Sequence, residues 1–302
     1  MTARIAIVGS FNIDLVVRTP KRPRSGETVL GTSADTYVGG KGCNQGIAAA
    51  RLGARVSMVG RVGRDHFGEQ LLRVMEREGI DSTYVSYDQR APTGIASIMV
   101  SDDGDNSIVV IPGANGLVSA QDVDAAAGAL AQSDVVLLQL EVPIESTLRA
   151  AELAKRSGVR VILNPAPARD LPLDLLRRVD VLVPNELEAQ LLTGVDPSTD
   201  PSGAAKLLLE MGIQTVIITL GRRGAFLMTG DMATLVPTFM VQPVDTTAAG
   251  DAFCGALAVA ISEGKSLQDA VRFSNAAGAI AATKAGAEPS LPYRDEVDRL
   301  VM

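Results

Sequence analysis

The chain has 302 residues, of which 46% are hydrophobic and 21% charged, a composition that suits a large buried core and excludes intrinsic disorder. Its net charge of −7 and its aromatic content of 3% disfavour a nucleic-acid partner, which needs a basic surface and stacking platforms. One histidine, His66, and two cysteines, Cys43 and Cys254, exclude a Cys/His zinc site or a disulfide framework built by this chain alone.

The N-terminal segment shows no targeting signal. Residues 1–10 enter an apolar strand directly, without the basic and apolar regions of a secretory signal. No uncharged apolar run in the sequence reaches the ~18–20 residues that a membrane-spanning helix needs. We therefore expect a cytoplasmic protein without a membrane partner.

Short runs rich in valine and isoleucine alternate along the chain with segments of helical periodicity. Their continuous apolarity is typical of strands buried on both faces of a parallel sheet. The predicted strands are Arg4–Gly9, Val56–Val62, Asp134–Leu140, Val159–Asn164, Val179–Pro184 and Thr215–Gly221. Asp65 and Ser202 are predicted to cap helices that stop at Gly79 and Gly212. We predict an α/β fold, a mostly parallel central sheet with helices on both faces.

Two segments, at about residues 12–38 and 92–111, contain shorter and more polar strands without intervening helices. Thr93–Val100 and Ser107–Ile111 are separated by the turn sequence Ser101–Asp105. Because strands without crossover helices do not join the same parallel layer, we predict a small antiparallel sheet beside the main one. The pattern alone leaves open the alternative that these strands are an insertion at the sheet edge without a functional role.

A glycine-rich turn, Gly39–Gln45, is predicted to open a helix. Its glycines permit positive φ, and Lys41 and Asn44 offer hydrogen-bond donors. The turn matches neither the P-loop nor the dinucleotide-binding fingerprint. The single glycine after the first strand, Gly9, also disfavours a nicotinamide dehydrogenase on a Rossmann sheet.

A second small-residue turn precedes the helix predicted over Ala252–Ser262. The four amides from Ala248 to Asp251 lie at its N-terminus, where unpaired N–H groups and the helix dipole favour an anion. The small side chains leave the backbone open to a phosphate. Asp251 is therefore a candidate base for an attacking hydroxyl, although by itself the residue is more typical of an ordinary helix cap.

Further polar residues directly follow the predicted strands. Open α/β sheets bind ligands at the carboxyl ends of their strands. Singly, each of these residues is more typical of a cap or turn, but together they predict a site at one rim. They are Asn12, Asp14, Glu141, Asn185, Glu188 and Thr219–Gly224.

Four stretches carry a family resemblance. Val38–Gly63 and Asp245–Leu257 resemble the two signatures of the ribokinase-like carbohydrate kinases, and Asn164–Ala168 and Pro184–Glu188 match shorter motifs in the expected order. The resemblance covers essentially the whole chain. It implies one kinase domain over residues 1–302, with the small sheet as a lid that also pairs two subunits into a homodimer.

The resemblance also implies an activity, phosphorylation of the primary 5-hydroxyl of D-ribose by ATP. It assigns catalysis to the base Asp251 and to an anion hole at Ala248, Ala249 and Gly250. Most of the family has glycine at the position of Ala248. Sugar hydroxyls would be held by Asn12, Asp14, Gly40, Lys41, Asn44, Glu141 and Asp251. ATP would contact Asn185, Thr219, Gly221, Gly224 and Asn275. Mg²⁺ would lie near Glu188, and K⁺ would be held by Asp245, Thr247, Ala281, Lys284, Gly286 and Ser290.

The substrate remains open among related sugars. Asn12 and Asp14 suit adjacent hydroxyls, which favours ribose over 2-deoxyribose. Fructose is the main competing sugar, and a nucleoside is disfavoured because only Phe11 and Tyr37 offer aromatic rings near the sugar site. A catalytically silent sugar-binding regulator on the same scaffold is a further alternative, disfavoured by the presence of Asp251.

Overall fold

The structure is a computed structural model that describes residues 2–103 and 106–302. Its strands are β1 (Arg4–Val8), β2 (Asn12–Thr19), β3 (Ser33–Gly39), β4 (Arg55–Gly63), β5 (Asp81–Asp88), β6 (Gly94–Ser101), β7 (Asn106–Ile111), β8 (Val135–Leu138), β9 (Arg160–Leu163), β10 (Val181–Leu182), β11 (Thr215–Thr219), β12 (Ala225–Met228) and β13 (Ala233–Val236).

Helices fill most of the connections between these strands. They are α1 (Lys41–Arg51), α2 (His66–Arg77), α3 (Ala120–Ala125), α4 (Ala127–Gln132), α5 (Ile144–Arg156), α6 (Leu173–Leu176), α7 (Glu186–Thr193), α8 (Pro201–Glu210), α9 (Ala249–Ser262), α10 (Leu267–Ala281) and α11 (Arg294–Val301). Short 3-10 helices cover Gly113–Leu117, Gly221–Arg223 and Glu288–Ser290. In the described part of the chain, no helix is long and apolar enough to cross a membrane.

The main sheet has nine strands in the order β13-β12-β11-β10-β9-β8-β1-β4-β5. The seven strands from β11 to β5 are parallel, and β12 and β13 add an antiparallel edge. Residues of β1 alternate between two cores: Ile7 belongs to the core that also contains Leu257 of α9, and Val8 belongs to the core on the other face, which also contains Leu208 of α8. The predicted mostly parallel sheet with helices on both faces is confirmed.

A small sheet of four strands, in the order β3-β2-β6-β7, lies apart from the main one. Its outer pairs, β2/β3 and β6/β7, are antiparallel, and its central pair, β2/β6, is parallel. The parallel pair is possible because α1, β4, α2 and β5 intervene between its strands. The predicted small sheet is therefore confirmed; Gly104 and Asp105 of the predicted turn lie outside the described residues.

Helix caps test the predicted boundaries. Asp65 caps α2 as predicted, since its side chain accepts the Gly68 N–H at 2.8 Å. The predicted Ser202 cap is wrong. Asp200 caps α8 instead by accepting from Gly203 N at 2.7 Å, because Pro201 is suited to the first helical position and shifts the cap one residue before it.

The helix at the second signature begins at Ala249, earlier than the predicted Ala252. Asp251 therefore lies in the first helical turn and does not cap the helix. Ala248 takes the cap position in the left-handed conformation, with φ 58°.

Candidate active site

The amino ends of α1 and α9 meet beside the carboxyl edge of the main sheet. The two helices approach closely at Gly255, where an added Cβ would lie 2.7 Å from the backbone oxygen of Gln45. This contact explains the small residues of α9 and brings the two signature motifs together. Asn44 Nδ2 donates to Asp251 Oδ2 at 3.0 Å, and Gln45 Nε2 donates to Asp251 Oδ1 at 3.0 Å.

Asp251 is almost completely buried, with 7% exposure. Burial raises the pKa of its carboxyl above the ordinary value, while the charge of Lys41 and the amide donors of Gln45 and Asn44 oppose that rise. Each carboxylate oxygen thus accepts one amide hydrogen bond and keeps lone-pair capacity for another donor. The arrangement suits a carboxylate that accepts a proton from a bound hydroxyl.

Three carboxylates and one ammonium group lie close together around Asp251. Burial, together with the charges of Glu141 and Asp251, raises the pKa of Asp14 to about 7, and Lys41 opposes this rise. Burial works against the charge of Lys41, but Asp251, Glu141 and Glu188 outweigh it and raise the Lys41 pKa. The carboxylates therefore hold the buried Lys41 in its charged form, while they repel one another at Asp14.

Hydrogen bonds fix the glycine-rich turn against the strand ends. Glu141 Oε2 accepts from Ser10 Oγ at 2.5 Å and from Lys41 N at 2.9 Å. Gly40 has φ 90°, and an added Cβ there would lie 2.7 Å from Asn12 N. The residue must therefore be glycine-like for the turn to pack against β2. The structure thus brings together the six residues assigned to sugar hydroxyls besides Asp251.

The amino end of α9 offers backbone donors, as the sequence predicts. Among the described residues, the N–H groups of Ala248, Gly250 and Asp251 have no protein acceptor, whereas Ala249 N donates to Thr246 O at 3.2 Å. Three of the four amides are therefore free to bind an anion.

A cavity of about 360 Å³ extends from this helix end towards β11 and α10. Its lining includes Ala249 and Gly250 and four of the five residues assigned to the nucleotide, which are Thr219, Gly221, Gly224 and Asn275. The fifth, Asn185, is bridged to Thr219 through the backbone. The cavity thus joins the expected nucleotide residues to the anion hole.

Asn275 and Asn185 also form hydrogen bonds that stabilise the fold around the cavity. Asn275 Nδ2 donates to the backbone oxygens of Val236 and Pro237 at 2.9 and 3.2 Å, and so fixes one wall of the cavity. Asn185 and Glu188 form a reciprocal capping box at the start of α7. Burial raises the pKa of Glu188 above its ordinary value.

The residues assigned to a monovalent cation lie on two adjoining segments. Asp245 accepts from Thr247 N and from Gly286 N, both at 2.9 Å. Although burial raises the pKa of Asp245, the hydrogen bond from the Thr247 hydroxyl, together with these two backbone hydrogen bonds, lowers it below its ordinary value. The Lys284 side chain pairs with Glu296 at 2.8 Å.

The other two residues assigned to this cation, Ser290 and Ala281, already form hydrogen bonds within the second segment. Ser290 Oγ donates to Ala287 O at 2.7 Å. The Ala281 carbonyl accepts from Lys284 N at 3.1 Å. The structure thus brings the six residues to one loop pair, where Lys284 offers backbone oxygen and no side-chain ligand.

Four polar residues, three of them buried and Asn164 partly exposed, support the site but were not assigned to it from sequence. Gln45 and Asn164 lie within motifs that the resemblance rests on, and a search for polar side chains in those motifs would have found them. Gln139 and Asn115 carry no local signal. Gln139 donates to Gln45, and Asn115 donates to Asn12 Oδ1 at 2.8 Å.

Comparison with known proteins gives a consistent result. Residues 2–294 match the sequence profile of the pfkB family carbohydrate kinases. A ribokinase of Haemophilus influenzae is 42% identical over 298 residues, which cover 98% of this chain and 97% of that protein. A deoxyribokinase of Salmonella typhi is 39% identical over 291 residues, 95% of each chain. The fold is similar to that of an Arabidopsis thaliana ribokinase solved with ribose and ATP, with a TM-score of 0.92, 34% identity and coverage of 100% and 99% of the two chains.

Proposed function

The chain belongs to the pfkB family of carbohydrate kinases, and from this we propose that it transfers the terminal phosphoryl group of ATP to the primary 5-hydroxyl of D-ribose. The observation that carries the proposal is the position of Asp251. Its buried carboxylate lies in the first turn of α9, and Ala249 and Gly250 of the same turn line the cavity that contains the expected nucleotide residues. A base and an anion-binding helix end therefore adjoin one another.

The proposed reaction needs few protein groups. Asp251 accepts the hydroxyl proton, the sugar oxygen forms a bond to the γ-phosphorus, and the bond from that phosphorus to ADP breaks. Because such transition states are loose, positioning and charge stabilisation dominate the catalysis. The free amides at Ala248 and Gly250, together with the buried charge of Lys41, supply that stabilisation.

Magnesium fits this site through one carboxylate. Among the described residues, no three or more His, Cys, Asp or Glu side chains group into a metal cage. Mg²⁺ in kinases is held mainly by phosphate oxygens and water, with one or two protein carboxylates. Glu188, whose carboxylate keeps lone pairs beyond its bonds to Asn185, is the residue that would hold it, and the ion would neutralise phosphate charge.

We assign potassium to the loop pair that contains Asp245. Its ionised carboxylate, the Thr247 hydroxyl and the nearby backbone oxygens form a set of hard oxygen donors, as a monovalent cation requires. Turnover is expected to be higher in K⁺ than in an equal concentration of a bulky organic cation. Equal turnover in the two salts would contradict the assignment.

Ribose is the preferred substrate in this proposal because Asn12 and Asp14 are both polar and buried. A site built to bond a hydroxyl loses affinity strongly when that hydroxyl is missing, since its buried groups are left unpaired. The deoxyribokinase relative makes 2-deoxyribose the competing sugar to test. Coupled ADP release should give the highest kcat/KM with ribose among ribose, 2-deoxyribose, fructose and nucleosides. Equal or better use of another sugar would contradict the substrate assignment.

An Asp251→Asn variant tests the catalytic assignment. The substitution is structurally tolerable because Asn44 Oδ1 has no partner in the described part of the chain. The Asn44 amide can therefore turn and accept from the new amide. Loss of a general base typically lowers rates about 10²–10⁴-fold. We expect a folded variant with that loss of ADP release and retained sugar binding; near-normal turnover would exclude Asp251 as the base. Saturable sugar binding without turnover by the unmodified protein would instead support a silent regulator.

We further propose that residues 1–302 act as one kinase domain, with the small sheet as its lid and as the surface that pairs two subunits. Strand β7 forms an edge of that sheet, and Ile108, Val109, Val110 and Ile111 are each about half exposed. Four consecutive exposed apolar residues on an edge strand are typical of a pairing surface. Because ATP is the phosphoryl donor, we place the reaction in the cytoplasm.

A further inference from the structure

Two fully buried glutamines, Gln45 of α1 and Gln139 directly after β8, have no role in the reaction as described so far. Gln45 Nε2 donates to Asp251 Oδ1 at 3.0 Å and to Asn164 Oδ1 at 3.2 Å. Gln45 Oε1 accepts from Gln139 Nε2 at 2.6 Å. The glutamines therefore form a chain of hydrogen bonds that ends on the proposed base.

The partners of Gln45 determine which end of its amide faces the base. An amide can turn over and exchange its donor for its acceptor. The Gln45 nitrogen faces two acceptors, Asp251 Oδ1 and Asn164 Oδ1, and Asn164 is oriented by its own donation to Val183 O at 3.0 Å. Gln139 donates to the Gln45 oxygen, and because Gln139 Oε1 has no partner among the described residues, this bond also sets the orientation of Gln139. Gln45 can thus only donate towards Asp251. A reversed amide would place its oxygen against both the Asp251 carboxylate and Asn164 Oδ1.

The second donor to Asp251 is less constrained. Asn44 Nδ2 donates to Asp251 Oδ2, but Asn44 Oδ1 has no partner among the described residues. Asn44 is therefore free to turn when substrate binds, whereas Gln45 is fixed at both ends of its amide. The orientation of the carboxylate before substrate binds depends on the fixed donor.

We propose that Gln139 and Gln45 are positioning residues that act in series: Gln139 holds the Gln45 side chain in place through its oxygen, and Gln45 holds the Asp251 carboxylate as an ionised acceptor for the hydroxyl proton. The inference rests on the proposed kinase function. It also explains why a polar glutamine is buried at the edge of the sheet. An apolar residue there would avoid the free-energy cost of burying an amide.

Other titratable groups also face Asp251, so the contribution of Gln45 must be separated from theirs. They are Lys41 of α1, Glu141 after β8, Glu188 of α7, Asp14 of β2 and Cys254 of its own helix. Replacing a neutral amide leaves all of these charges in place. A change in the titration of Asp251 in such a variant is therefore attributable to the lost hydrogen bond.

The test compares Gln45→Met, Gln139→Met and the double variant, because methionine matches glutamine in length without its amide. We expect each single variant to lower kcat about tenfold and to move the acidic limb of the pH–rate profile to higher pH, with the KM for ATP unchanged. If Gln139 acts through Gln45, the double variant is no slower than Gln45→Met. Multiplicative losses or an unmoved acidic limb would overturn the proposal.

A second measurement does not depend on the substrate. The ¹³C resonance of the Asp251 carboxyl carbon, identified by its loss in Asp251→Asn, reports ionisation in the free protein. We expect its titration to move to higher pH in both single variants even if ribose is the wrong sugar. An unchanged titration would overturn the inference while leaving the kinase function intact.

Thr147→Val is the matched control. Thr147 is also fully buried, and its hydroxyl donates weakly to the backbone oxygen of Gln139 at 3.4 Å. This variant should leave the acidic limb and the carboxyl titration unchanged. If Gln139→Met does not fold, Gln139→Leu and Gln45→Met provide the same comparison. A shift in the control equal to that in the glutamine variants would show a general packing effect and overturn the assignment.

Discussion

The side chain of Asn115 pairs with both backbone groups of Phe11, although 104 residues separate them in the chain. Asn115 Oδ1 accepts from Phe11 N at 2.9 Å, and Asn115 Nδ2 donates to Phe11 O at 2.9 Å. The same Nδ2 donates to Asn12 Oδ1 at 2.8 Å. One buried amide thus anchors the start of β2 and orients an expected sugar ligand.

Asn115→Ala should therefore affect both stability and sugar binding. It leaves the buried N–H and C=O of Phe11 without partners, and each unpaired buried group costs about 1–3 kcal/mol. We expect the free energy of unfolding in urea to fall by about 2–6 kcal/mol. Because Asn12 also loses its hydrogen bond from Asn115, it should bind the sugar less well. The KM for the sugar should therefore rise more than the KM for ATP.

Gln121→Ala, on the exposed surface of nearby α3, is the control for Asn115→Ala and should change neither quantity. An unchanged sugar KM in a destabilised Asn115→Ala protein would show that Asn115 anchors Phe11 without orienting Asn12. Unchanged stability would contradict both roles.

Asp14 should make stability depend on pH. Its pKa in the folded protein is about 7, raised from an ordinary 3.8. Between these values the folded protein binds a proton that the unfolded chain has lost, so stability falls as pH rises through this window and levels off above about 7. Asp14→Asn stays neutral and escapes this loss. Relative to the wild type, the variant should gain on the order of 2 kcal/mol between about pH 5 and about pH 8.

Urea unfolding of wild type and variant at both pH values measures that difference. Asp35→Asn, at an exposed carboxylate on the neighbouring strand β3, is the matched control for the change from carboxylate to amide. A constant difference between Asp14→Asn and wild type across the window would show that Asp14 is ionised throughout it.

The parts of the fold that the sequence predicts are those in which the signal is local. Val135–Leu138 is buried at every residue and forms a central strand, as its continuous apolarity indicates. The antiparallel edge strands Ala225–Met228 and Ala233–Val236 have only four residues each. They lack the runs of valine and isoleucine that mark the central strands, and Ala233–Val236 is partly exposed at the edge of the sheet.

The candidate site divides in the same way. Asp251 and Ala248–Gly250 are found from a contiguous motif, since helix N-termini and small residues have a direct physical meaning. Gln139 and Asn115 are not, because their partners lie 94 and 104 residues away in the chain. Only the folded arrangement shows that these amides hold other site residues.

The pairing surface on β7 predicts a change in assembly. Val109 is 63% exposed on the edge strand, and a lysine there places charge on a surface proposed to pair with a second copy. Sedimentation velocity should show a dimer for the unmodified protein and a larger monomer fraction for Val109→Lys. Leu187→Lys, at a 74% exposed position on α7, should remain dimeric. A monomeric unmodified protein, or equal assembly of the two variants, would contradict the proposed surface.

Replacing Ala248 by glycine should not lower the free energy of unfolding, whereas the same change at an ordinary helical alanine should lower it. Its φ of 58° is left-handed, a conformation that costs an alanine roughly 1–2 kcal/mol and glycine almost nothing. Glycine loses part of that gain through the greater freedom of the unfolded chain and the missing methyl packing. Ala125→Gly, at the exposed last residue of α3, which has no positive φ, should lose about 0.5 kcal/mol or less. We expect Ala248→Gly to be about 1–2 kcal/mol more favourable than this control in urea unfolding, with kcat retained because the backbone amide remains. Equal losses in the two variants would show that residue 248 is not left-handed in the folded protein.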